Sequence, residues 1–134
     1  MPTNIFRQHS TWIFVILALV ASTLIVRYYN QQPANIDSFY HYNGAVRIVN
    51  GEGFTEPYLW TFIGAPDSLP VPSNLYWMPA TSIVASLGMF VFGANYTGAM
   101  VGLILCHVIA VLVAYWLGYR LGGTSRHAWL AGIM

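Results

Sequence analysis

The chain has four carboxylates, Asp37, Glu52, Glu56 and Asp67, and all lie within one window of the sequence. His41 and Arg47 fall in the same window. Any acid–base or phosphate chemistry must draw on this set. Asp37 and His41 are four residues apart, so on a helix they share one face. A carboxylate there can take a proton from a nucleophile or orient it. His41 can pair with Asp37 or bind a phosphate, and it equally suits an interfacial, solvated position. Arg47 can neutralise a phosphate, or serve as a snorkelling helix arginine. Glu52, between Gly51 and Gly53, suits a turn; its mobility would also let it reach a phosphate through a divalent metal. Glu56 and Asp67 read as solvated loop charges.

The elements that hold this window are read from its surroundings. A helix is expected over about 37–50, with Asp37 as N-cap, an apolar face from Ala45, Val46, Ile48 and Val49, and Gly51 ending it. Pro57, Pro66, Pro70, Pro72 and Pro79 then forbid long regular elements. Tyr58, Trp60, Phe62, Tyr76 and Trp77 are interleaved with them, an arrangement suited to a headgroup region or a lipid-linked substrate. A second helix is expected at 79–92. At 1.5 Å per residue it is about 21 Å long, too short for a hydrocarbon core of about 30 Å.

On either side of the window lie two long uncharged stretches. With 7% charged and 57% hydrophobic residues, the chain has too few charges to cover a soluble domain, which normally carries about a quarter. The expected fold class is an all-α membrane protein: two full transmembrane helices, the start of a third, and an outer-face loop carrying juxtamembrane amphipathic helices. The spans are placed at 11–29 and 97–119, the loop at 30–96, and a truncated span at 127–134. A signal peptide competes for the first stretch, since Arg7 gives it a positive start, but no small-residue cleavage site follows it. If 79–92 stays at the interface, Arg7, Arg120 and Arg126 are all cytoplasmic, as the positive-inside rule prefers. The N-terminus is therefore placed in the cytoplasm and the loop outside, in a plasma or inner membrane. Tyr115, Trp116 and Tyr119 would form an aromatic belt. The 122–126 stretch would be a short inner turn. Cys106 reads as a small buried apolar residue, and His107 as a neutral histidine bonded to a neighbouring helix. Asn95-Tyr96-Thr97 fits a glycosylation sequon by pattern alone. Nothing in the charge points to nucleic acid as a partner.

The order of motifs resembles a known family. Asp37-Ser38-Phe39-Tyr40-His41-Tyr42 leads into Ala45-Val46-Arg47-Ile48-Val49-Asn50-Gly51-Glu52-Gly53-Phe54. A Pro-x-x-x-Tyr-Trp-x-Pro segment follows, from Pro72 to Pro79, then Phe92-Gly93-Ala94-Asn95-Tyr96 and a span closing in Tyr119-Arg120-Leu121-Gly122-Gly123. This is similar to the N-terminal part of the GT-C glycosyltransferases that use polyprenyl-phosphate sugars, among them protein O-mannosyltransferases and lipid A aminoarabinose transferases. The resemblance implies a lipid bilayer and a polyprenyl-phosphate sugar donor as partners. It also implies that Asp37 is the first-loop catalytic acid, with His41, Arg47 and Glu52 as substrate-binding candidates. Ser38 stands where many members have a second carboxylate, which weakens a metal role there. The family's next acidic residue would fall past Met134, so the chain is expected to be a piece of a larger enzyme, inactive alone. The competing expectation is a non-catalytic membrane subunit or a transporter piece. An intramembrane acid would favour transport, and neither stretch has one.

Overall fold

The computed structural model describes residues 3–59 and 66–134, with side chains from His9 onward; Trp60 and Phe62 lie outside the described residues. It is an all-helical chain with one small hairpin, in the order α1 (Thr3–Tyr29), α2 (Ile36–Val49), β1 (Thr55–Glu56), β2 (Val71–Pro72), α3 (Ala80–Phe92), α4 (Tyr96–Gly122) and α5 (Ser125–Ile133). The chain divides into two compact units: residues 30–103, and residues 1–29 with 104–134. Helix α4 contributes to both.

In the first unit, the start of α2 differs from expectation. Asn35, not Asp37, is the N-cap: its backbone is extended and its Oδ1 accepts from the Ser38 amide at 2.8 Å and the Ser38 hydroxyl at 2.8 Å. Asn and Asp cap equally well, so the choice falls to the residue that sits one position before the first helical turn. Asp37 lies inside that turn, where a negative charge complements the positive end of the helix. The other end is as expected. Gly51 adopts φ +77°, and the Gly51 and Glu52 amides donate to the Ile48 and Arg47 carbonyls. This is a Schellman closure, and it needs a residue tolerant of left-handed backbone.

The proline-rich segment is not wholly irregular. Thr55 pairs with Pro72 and Glu56 with Val71 in an antiparallel ladder, and the Ser73 amide extends it to the Phe54 carbonyl at 2.9 Å. The all-α expectation missed it because two-residue strands carry no alternation to read.

Helices α2 and α3 meet through Ala45, Ala85 and Met89, with Ala99 from α4 and Tyr42, Val46 and Val49 around them. Helix α3 has reversed sidedness. Its buried positions are Ser82, Ala85, Ser86, Gly88 and Met89, whereas Leu87, Phe90, Val91 and Phe92 are all more than half exposed. The buried serines are satisfied: Ser86 Oγ donates to the Ile83 carbonyl and Ser82 Oγ meets His41, as inward polar groups must be. Helix α3 then turns through Gly93 and Asn95, whose side chain caps α4 by accepting from the Gly98 amide at 2.9 Å. The two backbones approach so closely that a Cβ on Gly88 would lie 2.2 Å from the Gly98 carbonyl oxygen and 2.5 Å from the Gly102 amide nitrogen.

In the second unit, Phe14, Tyr115 and Ala128 form the core, with Trp129 packed against it. The Phe14 and Tyr115 rings lie 4.7 Å apart, and Trp129 meets Phe14 edge-on at 5.2 Å. Ser10 Oγ accepts from Trp129 Nε1 at 2.9 Å and contacts the Tyr115 hydroxyl at 3.0 Å. Tyr115 is therefore core rather than belt, while Trp116 remains exposed under Arg120. The 122–126 turn is shorter than expected: Gly123 takes φ +70° and Thr124 already caps α5. Cys106 and His107 are both exposed. Neither is the buried or helix-bonded residue expected, because α4 turns that face away from its neighbours.

Residues His9–Tyr29 and Tyr96–Gly122 are long and apolar enough to cross a membrane by length and composition. Few residues of their apolar stretches are fully buried, 6% and 11%. Helix α3, at 13 residues, spans about 20 Å.

Candidate functional site

Asp37 and His41 do share a face of α2, one turn apart, and they border a single cleft of about 220 Å³. The capped start of α2 supplies the polar rim: Asn35, Asp37, Ser38 and His41, joined by Thr81 at the start of α3. The rest of the lining is mostly apolar, from Tyr42 of α2, Ala85 of α3 and Tyr96, Ala99, Met100 and Leu103 of α4. Such mixed lining suits an amphiphile with a polar head and a hydrocarbon body.

His41 is fixed from behind. Its Nδ1 lies 3.1 Å from the fully buried Ser82 Oγ, and the Tyr40 ring meets it edge-on at 5.5 Å. Burial lowers its pKa, and the nearby Asp37 charge opposes that only in part. The ring is thus neutral near pH 7, since burial disfavours the charged form. A neutral imidazole with one nitrogen engaged leaves the other to meet a ligand.

Arg47 and Glu52 are placed elsewhere. Ten residues along α2 from Asp37 amounts to about 15 Å. There Arg47 Nη1 pairs with Glu52 Oε2 at 2.5 Å, and its Nε and Nη2 donate to Thr55 Oγ1 at 2.9 and 2.7 Å. Thr55 Oγ1 in turn donates to the Glu52 carbonyl at 2.8 Å. This clamp ties the end of α2 to β1, so the structure separates the four candidates: Asp37 and His41 line the cleft, and Arg47 and Glu52 lie in the clamp. Among the described residues no three His, Cys, Asp or Glu side chains gather as metal ligands would.

The residue that the sequence did not mark is Glu56. Far from being a solvated loop charge, it is 2% exposed. It sits among Tyr40 and Arg47 of α2 and Tyr58 of its own segment, and burial raises its pKa against the pull of both hydroxyls and the arginine. The two phenols are near enough to act on the carboxylate, yet neither oxygen has a partner in strict hydrogen-bond geometry. Burial and Glu56 likewise push the Tyr58 hydroxyl up to about 12. The Asn74 amide donates to the Tyr40 hydroxyl, and the Trp77 ring packs against Tyr40 at a tilt, with centroids 4.8 Å apart. The only hint in the sequence is that Glu56 lies between Phe54 and Tyr58 in a segment rich in aromatics. Asp67 is exposed, as expected.

No family model, curated protein or solved structure matches this chain.

Proposed function

We propose that this chain is the N-terminal part of a GT-C type membrane glycosyltransferase. It would move a sugar from a polyprenyl-phosphate donor to an acceptor at the outer membrane face. The observation that carries this reading is the cleft beside α2, which Asp37 and neutral His41 line together with apolar side chains. A polyprenyl phosphate likewise joins a polar head to a hydrocarbon chain. In the reaction the acceptor oxygen forms a bond to the anomeric carbon while the bond from that carbon to the phosphate oxygen breaks. Polyprenyl phosphate leaves with the electron pair, and Asp37 takes or orients the acceptor proton. His41, held by Ser82, hydrogen-bonds the bound group without adding charge.

Helices α1 and α4 are the proposed spans, with α3 in the interface. The sidedness of α3 supports this. A helix in water hides its large apolar residues, and α3 hides serine and glycine while exposing Leu87, Phe90, Val91 and Phe92. Exposed apolar patches of this kind mark a surface that meets lipid or protein. No Asp, Glu, Lys or Arg occurs between Asp67 and Arg120.

The test is Asp37→Asn in the full-length protein, assayed in membranes for consumption of a polyprenyl-phosphate hexose and release of polyprenyl phosphate. The expected result is loss of turnover by a hundredfold or more, in the range of about 10²–10⁴ that a positioned base contributes. Turnover close to wild type would sink the assignment and favour a non-catalytic membrane subunit.

A further inference from the structure

The hydroxyl of Ser82 has a hydrogen to place. The residue is fully buried, and a buried donor left unmet loses its hydration with nothing in return. Ser86, one turn further along α3, places its own on the Ile83 carbonyl of the same helix. Ser82 makes no such bond: among the described residues its Oγ has one partner, His41 Nδ1 at 3.1 Å. The two neutral forms of the ring are therefore unequal. With the proton on Nδ1, the ring would donate to Ser82 Oγ and the hydroxyl hydrogen would be stranded. With Nδ1 bare, Ser82 Oγ donates to it and nothing is left unmet. The ring proton then sits on Nε2, which has no partner among the described residues.

His41 borders the cleft, and Ser82 is not part of its lining. The other polar groups there are Asn35, Asp37, Ser38, Thr81 and Tyr96. They amount to one carboxylate, an amide and three hydroxyls, with no cation. The Ser38 amide and hydroxyl are already spent on Asn35 Oδ1. Arg47 lies about 15 Å further along α2, inside its clamp with Glu52 and Thr55. A phosphate brought against Asp37 would meet like charge with none to compensate. An alcohol meets no such barrier, since one hydroxyl can donate to the carboxylate and accept from an imidazole N–H.

We propose that Ser82 is a positioning residue that locks His41 as the Nε2–H tautomer, and that this donor, one helical turn from the Asp37 acceptor, makes this end of the cleft a site for a neutral alcohol rather than a phosphate. The lock follows from the packing of α3 on α2 alone. The alcohol is the sugar acceptor only on the glycosyltransferase reading. There it sets the acceptor, and not the phosphate of the donor, against Asp37. His41 then serves as a hydrogen-bond donor, and the role of base is left to Asp37.

The lock is tested by long-range proton–nitrogen NMR on the full chain, with isotope-labelled histidine, in lauryldimethylamine oxide micelles. At about pH 8 the neutral ring dominates. Of the four histidines, His41 is identified by the signals that His41→Gln lacks. The expected pattern is a bare, acceptor-type Nδ1 and a protonated Nε2. In Ser82→Ala the Nδ1 signal should move downfield, as for an acceptor that has lost its donor. In Ser82→Cys, whose thiol is a weaker donor, it should move less; this variant serves if Ser82→Ala does not fold. A proton on Nδ1 in wild type, or an Nδ1 signal that neither variant moves, overturns the lock.

The ligand class is tested by titrating decyl glucoside and decyl phosphate, two amphiphiles of equal chain length, into the same sample. Decyl glucoside is expected to shift the His41 Nε2–H signal at concentrations about tenfold below those decyl phosphate needs, and Asp37→Asn should narrow or reverse that preference. Equal affinity, no shift by either, tighter binding of decyl phosphate, or a preference unchanged in Asp37→Asn overturns the alcohol site. Neither measurement involves turnover. A locked ring and an alcohol preference in a protein that transfers no sugar would remove the glycosyltransferase reading alone. Sugar transfer by a protein with Nδ1 protonated would remove this proposal alone.

Discussion

Ser82 of α3 and His41 of α2 meet at 3.1 Å across the helix interface, and they can do so because Gly44 has no side chain. A Cβ on Gly44 would lie 3.0 Å from Ser82 Oγ. Three residues from two helices thus set the orientation of one imidazole. The serine is fully buried, so a partner is obligatory, and the neutral ring supplies it.

This contact gives the protein an acid limit. Burial lowers the His41 pKa in the folded state, so the unfolded chain takes up its proton first. Stability from the neutral ring is present above the ordinary histidine value and is lost as pH falls through the lower, folded one. The thermal midpoint of the full chain in detergent is expected to fall on acidification below about pH 6. His41→Gln should remove that part of the pH dependence, and Asp37→Asn should shift it to lower pH by deleting the charge that favours imidazolium. Wild type and His41→Gln with superimposable midpoint–pH curves would show that the ring plays no such part. Glu56 acts in the opposite direction, so both curves are best recorded in a Glu56→Gln background.

The close contact of α3 with α4 gives a second expectation. Replacing a helical glycine by alanine ordinarily gains about 1 kcal/mol of helix propensity. At Gly88 the new methyl would stand 2.2 Å from the Gly98 carbonyl oxygen, with backbone rather than a flexible side chain on the far side. Overpacking of this kind costs about 1–3 kcal/mol or more. Gly88→Ala is therefore expected to destabilise the protein by roughly 1–2 kcal/mol net, read as a lowered denaturation midpoint. A neutral or stabilising outcome would mean that α3 and α4 leave room for a methyl group at this crossing.

Much of this was legible in the residues because it rests on local rules. Gly51 closing α2 and the short α3 follow from turn chemistry and helix length. Asp37 and His41 share a cleft because four residues bring a helix round once. The remainder depends on what packs against what. Asn35 and Asp37 are equivalent caps until the chain's entry into α2 selects one. Arg47 and Glu52 each allow a ligand role and a plainer one, because a sequence does not reveal that Thr55 will complete a clamp around them. Glu56 was misread for a stronger reason: a carboxylate in a proline-rich segment is normally solvated. Only the two-residue ladder to Val71 carries it under Tyr40. Tyr115 likewise left the expected belt because α5 brings Trp129 against it.

Cys106 offers a direct check on the proposed membrane setting, using the only cysteine in the chain. It lies ten residues into α4 and is exposed, beside Leu105 and Ile109, which are also exposed. If α4 spans a bilayer, this face is covered by hydrocarbon, because ten residues amount to about 15 Å from the helix start, half the core thickness. In intact membranes a charged, water-soluble maleimide is then expected to leave Cys106 unmodified, while an apolar maleimide of similar reactivity labels it. Unfolding in sodium dodecyl sulfate should restore labelling by the charged reagent. Rapid labelling by the charged reagent in untreated membranes would place this face in water and remove α4 as a span. The outcome does not depend on any enzymatic activity, so it separates the membrane proposal from the catalytic one.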